Sequence, residues 1–161
     1  MKPILVQMSD KQWTMQAVHL ACALARHQQA AVILLHLMPA RHPSYLGTPF
    51  GDTPPTWQES TDMRDYAATA EDYGIELRLQ PMQYVNWLDA VSEAADQLDA
   101  AVVFAHILPG RIPYWRRFQR WNLQRQLAAA HRQLVTLDPT QGKPESLPSV
   151  TIRPAPVRSK S

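Results

Sequence analysis

The chain has 161 residues, a formal net charge of +2 and 45% hydrophobic residues. This length fits one domain with a sizeable core, and the composition excludes a disordered chain. The single cysteine, Cys22, excludes an internal disulfide framework and favours a reducing compartment. The N-terminus lacks a signal-peptide pattern, and no apolar run approaches the roughly 18 residues of a membrane span. We expect a cytoplasmic protein, at most peripheral to the cytoplasmic face of a membrane.

Charge is divided unevenly along the chain. From Asp52 to Asp99 there are eleven acidic residues and two basic ones. From Ala100 to Leu137 there is no acidic residue, and six arginines fall in this range. The division predicts an acidic flank and a basic flank, which can orient the protein on an anionic surface or a partner.

Apolar runs alternate with helical patterns up to residue 138. Most of the runs are continuous, as in buried parallel strands, but the third alternates with polar residues, as in a strand at a sheet edge. The helical stretches keep apolar residues on one face. In chain order, the predicted elements are strand 4–8, helix 10–27, strand 31–37, helix 56–73, strand 75–80, helix 87–98, strand 100–105, helix 115–130 and strand 134–137.

Single residues predict some of the boundaries. Ser9 and Gln12 have the spacing of a capping box, so Ser9 is predicted to cap the first helix. Pro81 is predicted to end the third strand, because proline cannot donate a ladder hydrogen bond. Two proline-rich stretches lie outside the elements. Residues 39–55 predict a long loop of unassigned role, and residues 139–161 predict an extended tail with too few apolar residues to fold alone.

The alternation predicts an α/β fold in which helices cover both faces of a parallel sheet. Residues 1–138 form this domain, and the proline-rich tail follows it. Ligands bind such sheets at the carboxyl ends of the strands. The residues expected at those ends are Ser9, Asp10, Leu37, Met38, Ala105 and His106.

Two histidines, His36 and His106, are expected near each other at the strand ends. A metal or acid–base site there has little support, because no ligand spacing such as H-x-x-x-H occurs. No nucleophile elbow, Walker loop or cysteine pair is present in the sequence either. We therefore expect no metal and no enzyme activity.

Aromatic rings and arginines are interleaved in residues 109–138. A periodicity of about 100° per residue places the rings and most of the arginines on different sides of the fourth helix. In one interpretation the rings pack on the sheet and the arginines form a solvated face. In the other, this surface docks a partner, because Trp, Tyr and Arg are enriched at interface hot spots. The candidate docking residues are Arg111, Trp115, Arg116, Arg117, Arg120, Trp121 and Arg125.

Three kinds of partner compete for such a surface. A protein is favoured, for example a subunit of a membrane-associated complex. Anionic lipid is next, because arginine with interfacial Trp and Tyr suits headgroups. Nucleic acid is the least favoured, because the acidic half of the chain repels phosphates and no nucleic-acid motif is present. Residues 149–153 of the tail could also lie extended across a neighbour.

The opening ILVQMSD, the second strand VILLHLMP and the helix end ADQLD before the strand AAVVFA resemble the universal stress protein family. The likeness covers about residues 2–138. It implies a five-stranded parallel sheet in the order 3-2-1-4-5 between four helices, with strand five often used to form a homodimer. For many members it also implies ATP binding, through an aspartate after strand one and a glycine-rich signature after strand four.

The nucleotide-binding part of that pattern is altered in this chain. Asp10 is displaced by about one residue, and Gly110 is the one glycine in the region after strand four. Trp121 falls where a family glycine would let backbone N–H groups cradle phosphates. Two hypotheses follow. One is a non-enzymatic accessory or regulatory subunit that docks through the fourth helix and the tail and holds no cofactor. The other is a stress regulator that binds ATP or AMP at Ser9, Asp10, Leu37 and His106.

Overall fold

Five parallel strands and four helices alternate in the structure, a computed structural model that describes residues 1–40, 57–107 and 113–137. In chain order they are β1 (Ile4–Gln7), α1 (Lys11–Gln28), β2 (Val32–Pro39), α2 (Trp57–Tyr73), β3 (Leu77–Tyr84), α3 (Trp87–Gln97), β4 (Val102–Phe104), α4 (Pro113–Ala129) and β5 (Gln133–Val135). The strand order is β3-β2-β1-β4-β5, which confirms the predicted sheet. Most of the predicted loop, the tail and Arg111 lie outside the described residues.

The core consists of one hydrophobic cluster on each face of the sheet. The first lies under α1 and α2 and contains Trp13 and Tyr66. The second lies under α3 and α4 and contains Val91 and Leu123. Because successive strand residues point to opposite faces, Leu5 enters the second cluster while its neighbours in β1 enter the first. Burial on both faces explains why the central strands read as continuous apolar runs.

The N-cap of α1 is Asp10, so the prediction of Ser9 is wrong by one residue. Asp10 Oδ1 accepts a hydrogen bond from the Trp13 backbone N–H at 2.9 Å. Ser9 Oγ lies instead 2.5 Å from His106 Nδ1, and the Ser9 N–H donates to Thr14 Oγ1 at 2.9 Å. The serine hydroxyl is therefore engaged by a distant strand end, and the next residue caps the helix.

The third strand continues through Pro81, so the prediction that it ends there is wrong. Pro81 pairs in register with His36, and the ladder continues to Tyr84 opposite Pro39. β3 is an outer strand of the sheet, where a proline is tolerated when its missing N–H would face outward. The other element boundaries differ from the predicted ones by at most two residues, which is the usual uncertainty of helix and strand ends.

Helix α4 packs on the sheet through Leu123 and Leu127, which are 0% and 1% exposed. Its aromatic residues lie outside the core: Trp115 is 49% exposed, Phe118 52% and Trp121 55%. The interpretation in which these rings pack on the sheet is therefore wrong. None of the helices in the described part of the chain is long and apolar enough to cross a membrane.

A pair of variants tests this orientation of α4. Leu123→Ala is expected to lower the free energy of unfolding by about 2–5 kcal/mol, because it leaves a cavity under the helix. Phe118→Ala is expected to change it by less than about 1 kcal/mol, since the ring is half exposed. Urea denaturation followed by circular dichroism measures both values. Equal losses for the two variants would contradict the packing.

Candidate functional site

The carboxyl ends of β1 and β4 bring together three residues that the sequence placed there. The two strands are hydrogen-bonded in parallel, so the residues that follow them meet at one edge of the sheet. His106 Nδ1 lies 2.5 Å from Ser9 Oγ and 3.7 Å from Asp10 Oδ2. These three residues form the polar centre of the edge, which we call the β1–β4 edge site.

Two further residues complete the β1–β4 edge site, and sequence reasoning missed both. The indole of Trp13 stacks on the His106 imidazole, with ring centroids 4.9 Å apart and planes 17° from parallel. Gln7, which is 6% exposed, accepts a hydrogen bond from the His106 backbone N–H at 3.1 Å through Oε1. Gln7 could have been found from the sequence, because it is a polar residue at the end of an otherwise apolar strand. Trp13 also lies on the buried apolar face of α1, so its position in the sequence indicates packing and not a site residue.

The charge of the β1–β4 edge site depends on His106. Burial lowers the pKa of the imidazole, the nearby Asp10 carboxylate opposes this, and the Arg116 guanidinium lowers the pKa further. The ring is therefore neutral at neutral pH, beside a carboxylate that is 59% exposed. Arg116 belongs to the first turns of α4, so the helix brings a positive charge to this edge of the sheet.

The other expected residues of the edge are not part of this contact group. Leu37 packs against the core cluster under α3 and α4, whereas Trp13, the partner of His106, belongs to the cluster under α1 and α2. His36 lies on β2, and β1 separates β2 from β4, which puts His36 two strand spacings, about 10 Å, from β4. No group of His, Cys, Asp or Glu side chains within the described ranges could hold a metal ion.

The outer surface of α4 carries a continuous row of aromatic side chains. Trp115 and Phe118 have ring centroids 5.9 Å apart, and Phe118 and Trp121 have centroids 6.2 Å apart. Tyr114, at the start of the helix, is 73% exposed. The guanidinium of Arg125 lies 5.5 Å from the centroid of Trp121, within the range of a cation–π interaction. We refer to Tyr114, Trp115, Phe118 and Trp121 as the aromatic row.

The aromatic row points away from the sheet. Phe118 precedes the buried Leu127 by nine residues, which is about 900° around the helix and therefore the opposite side. Trp121 precedes Leu123 by two residues, or about 200°. Arg117 is exposed beside the row. Phe118 and Trp121 thus lie on the outermost ridge of α4, with Trp115 on its flank, and their exposure follows from the anchoring of the helix by its two leucines.

The arginines of the basic segment have different surroundings. Arg117, Arg120 and Arg125 are exposed, and Arg116 is partly buried towards the β1–β4 edge site. Arg132, after α4, has a structural role: its Nε donates to the Ala100 carbonyl at 3.0 Å and its Nη1 forms an ion pair with Asp96. The exposed arginines are therefore those on the surface of α4.

No protein-family model matches the sequence, and no curated protein matches it. A universal stress protein structure in complex with cAMP is 17% identical, covers 85% of this chain and 96% of its own, and superposes with a TM-score of 0.57. The universal stress protein from Archaeoglobus fulgidus is 14% identical, covers 86% of this chain and 94% of its own, and also has a TM-score of 0.57.

A further structure of the Archaeoglobus fulgidus protein, in complex with dAMP, is 14% identical, covers 86% of this chain and 98% of its own, and has a TM-score of 0.54. At these identities the similarity concerns the fold. The strand order β3-β2-β1-β4-β5 and the four covering helices agree with it. The chain has the fold of the universal stress proteins.

Proposed function

We propose that the protein is a non-enzymatic accessory or regulatory subunit that docks on a partner protein or at a membrane through the aromatic row and the exposed arginines of α4. The observation that carries this proposal is the exposure of the row. Four large rings on one helix are each about half exposed or more. Contiguous apolar surface rimmed by polar residues typically marks an interaction site.

The chemistry of the row fits an interface. Trp, Tyr and Arg are the residue types that most often carry binding energy at hot spots. Burying one large aromatic side chain stabilises a complex by about 1.5–3 kcal/mol. Phe118 and Trp121, which are about half exposed, can still contribute part of this energy when a partner covers them.

The side chains of the aromatic row are also preorganised for binding. Ring–ring contacts hold Trp115, Phe118 and Trp121 side by side, and the cation–π contact holds Arg125 against Trp121. Leu123 and Leu127 fix the helix on the sheet. Because little side-chain freedom remains to be lost, the entropic cost of docking is reduced.

Purification under mild lysis from the organism that makes the protein tests this function. The native chain is expected to elute with a partner or a membrane fraction, while Phe118→Ala with Trp121→Ala is expected to weaken that association about a hundredfold or more. Leu20→Ala is the matched control, because Leu20 on α1 is 49% exposed, like the rings of the row. Recovery of the native chain as a free species alone, or an equal loss with Leu20→Ala, would sink the proposal.

A second candidate function is binding of an adenine nucleotide, ATP or AMP, at the β1–β4 edge site. The observation in its favour is the convergence of Arg116, His106 and the exposed Asp10 carboxylate at the edge where such folds bind ligands. Two structures of similar fold were solved with cAMP and dAMP. Against it, Ser9 and His106 are already bonded to each other, and the phosphate-cradling glycines are replaced in the sequence.

Calorimetric titration with ATP and with AMP decides on the second candidate. We expect no heat of binding and no shift in melting temperature at millimolar nucleotide. A ligand present at 100 times its Kd would stabilise the fold by about 2.7 kcal/mol, which a thermal melt detects. A shift that Arg116→Gln abolishes and Arg78→Gln, on the distant outer strand β3, leaves intact would establish nucleotide binding and contradict our expectation.

Protonation of His106 makes the stability of the folded protein depend on pH. Because burial lowers the pKa of His106 in the folded state, the unfolded chain binds more protons between that value and about 6.5. The stability that comes from the neutral ring is complete above pH of about 6.5 and is lost as the pH falls towards the folded-state pKa. Acid should therefore lower the free energy of unfolding.

Denaturant unfolding of the native chain and of His106→Gln between about pH 5 and 7.5 measures this contribution. The native chain is expected to lose more stability on acidification than the variant does. Parallel curves would show that His106 titrates alike in the folded and unfolded states, contrary to the buried environment described above.

A further inference from the structure

We infer that the surface on which α4 docks is that of an anionic phospholipid membrane, so that the protein is held at the bilayer by one helix lying in the headgroup region. This inference rests on the proposed docking function and names the chemistry of the partner. It concerns the aromatic row and Arg117, Arg120 and Arg125. The β1–β4 edge site has no part in it.

The shape of the surface is the first argument. Phe118 and Trp121 occupy the outermost ridge of α4, opposite the buried Leu123 and Leu127, and Trp115 lies on its flank, so that the rings form a convex surface. A lipid interface is soft and takes in protruding rings without a preformed groove. A helix that lies in this interface typically buries its apolar face about 5–10 Å deep.

The identity of the rings is the second argument. Trp115, Trp121 and Tyr114 each combine an apolar ring with a polar N–H or O–H group, and such rings concentrate at the boundary between lipid and water. Phe118, which has no polar group, lies between the two tryptophans and contacts both. The most apolar ring is therefore at the centre of the row, with amphipathic rings around it.

The distribution of charge is the third argument. At about 100° per residue, Arg117 and Arg120 lie on one side of Phe118 and Trp121, whereas Trp115, Asn122 and Gln126 lie on the other. Asn122 and Gln126 are partly buried and Arg117 and Arg120 are exposed, so the arginines lie on the side without a neighbouring helix.

That side is the one turned away from the acidic helix α3. Right-handed crossovers place α3 over the middle of the sheet and α4 over its β4–β5 margin. Two exposed acids of α3, Asp89 and Glu93, therefore lie beyond the uncharged side of α4, and the third, Asp96, forms an ion pair with Arg132 after α4. An anionic bilayer that approaches the aromatic row from the β5 side meets rings and arginines before it meets Asp89 or Glu93, and Asp96 is neutralised by its ion pair with Arg132. This separation of charge is the feature that favours a lipid surface.

Vesicle sedimentation tests the inference. The purified full-length chain is mixed with vesicles of phosphatidylcholine alone, or of phosphatidylcholine with phosphatidylglycerol, at low and at high salt. We expect binding to the anionic vesicles, weakening with salt, and little binding to the neutral ones. Brominated acyl chains should quench tryptophan fluorescence in the bound state, and this quenching should fall in Trp121→Phe.

Matched variants distinguish binding through α4 from nonspecific attraction between the basic protein and the anionic vesicles. Arg117→Gln with Arg120→Gln is expected to weaken binding about 25-fold, roughly fivefold for each arginine near an anionic surface. Arg26→Gln with Arg78→Gln removes the same charge far from α4, on α1 and β3, and is expected to leave binding unchanged within about twofold. Phe118→Ala is expected to weaken binding about tenfold.

The outcomes distinguish this inference from the proposed function. Equal losses in both arginine double variants, or equal binding to neutral vesicles, would overturn the lipid assignment. So would absence of vesicle binding, and in that case continued co-purification of a host protein through the aromatic row would identify an acidic protein groove as the occupant and leave the docking function standing. Loss of both vesicle binding and co-purification would remove the inference and the function together.

Discussion

Burial of β1 on both faces, between β2 and β4, is the constraint on which the rest of the structure depends. Its side chains enter both core clusters, and Ile4, Leu5 and Val6 are each fully buried. The strand aligns β4 in register, and this register brings Ser9 and Asp10 to His106. Because the strands are parallel, their carboxyl ends lie at one edge of the sheet, and the residues that follow them meet there.

The same constraint separates two candidate binding surfaces, the β1–β4 edge site and the aromatic row, which share helix α4. The first turns of α4 reach the carboxyl edge of the sheet, where Arg116 acts on His106. The later turns are held by Leu123 and Leu127, which turn the aromatic row outwards. A ligand at the edge and a partner on the ridge would therefore touch the same rigid element through different residues. The two proposals can be tested independently, since no residue of the aromatic row contributes to the β1–β4 edge site.

Exposure of the rings on α4 reduces the free energy gained on folding, because large apolar side chains remain in contact with water. The core is supplied by aliphatic residues and alanines together with a few rings such as Trp13 and Tyr66. Leaving several rings of α4 in water forgoes part of the burial energy that each of them offers. Arg132 is used in the opposite way, since its pairing with Asp96 and its bond to the Ala100 carbonyl join the end of α4 to the α3–β4 connection. Arg132 therefore stabilises the fold, whereas other arginines of the same segment are exposed on the surface of α4.

Much of this protein follows from the sequence. Continuous apolar runs determine the central strands, since residues buried on both faces leave no polar alternation, and alternation with helical stretches determines the parallel sheet and its helices. The helix predicted over 87–98 begins at Trp87 in the structure, and its cap is a local interaction in which Asn86 Oδ1 accepts from the Leu88 N–H at 3.0 Å. Proximity of Ser9, Asp10 and His106 was predictable as well, because all three follow strands that end at one edge.

What only the tertiary structure decided depends on contacts between residues far apart in the chain. Ser9 does not cap α1 because His106, 97 residues away, engages its hydroxyl. Pro81 does not end β3 because the strand lies at the outside of the sheet, where one absent donor breaks no pairing. A helical wheel divides α4 into sides but does not say which side meets the sheet. That was decided by the fit of Leu123 and Leu127 against the β4–β5 half of the sheet, and it left the rings to the solvent.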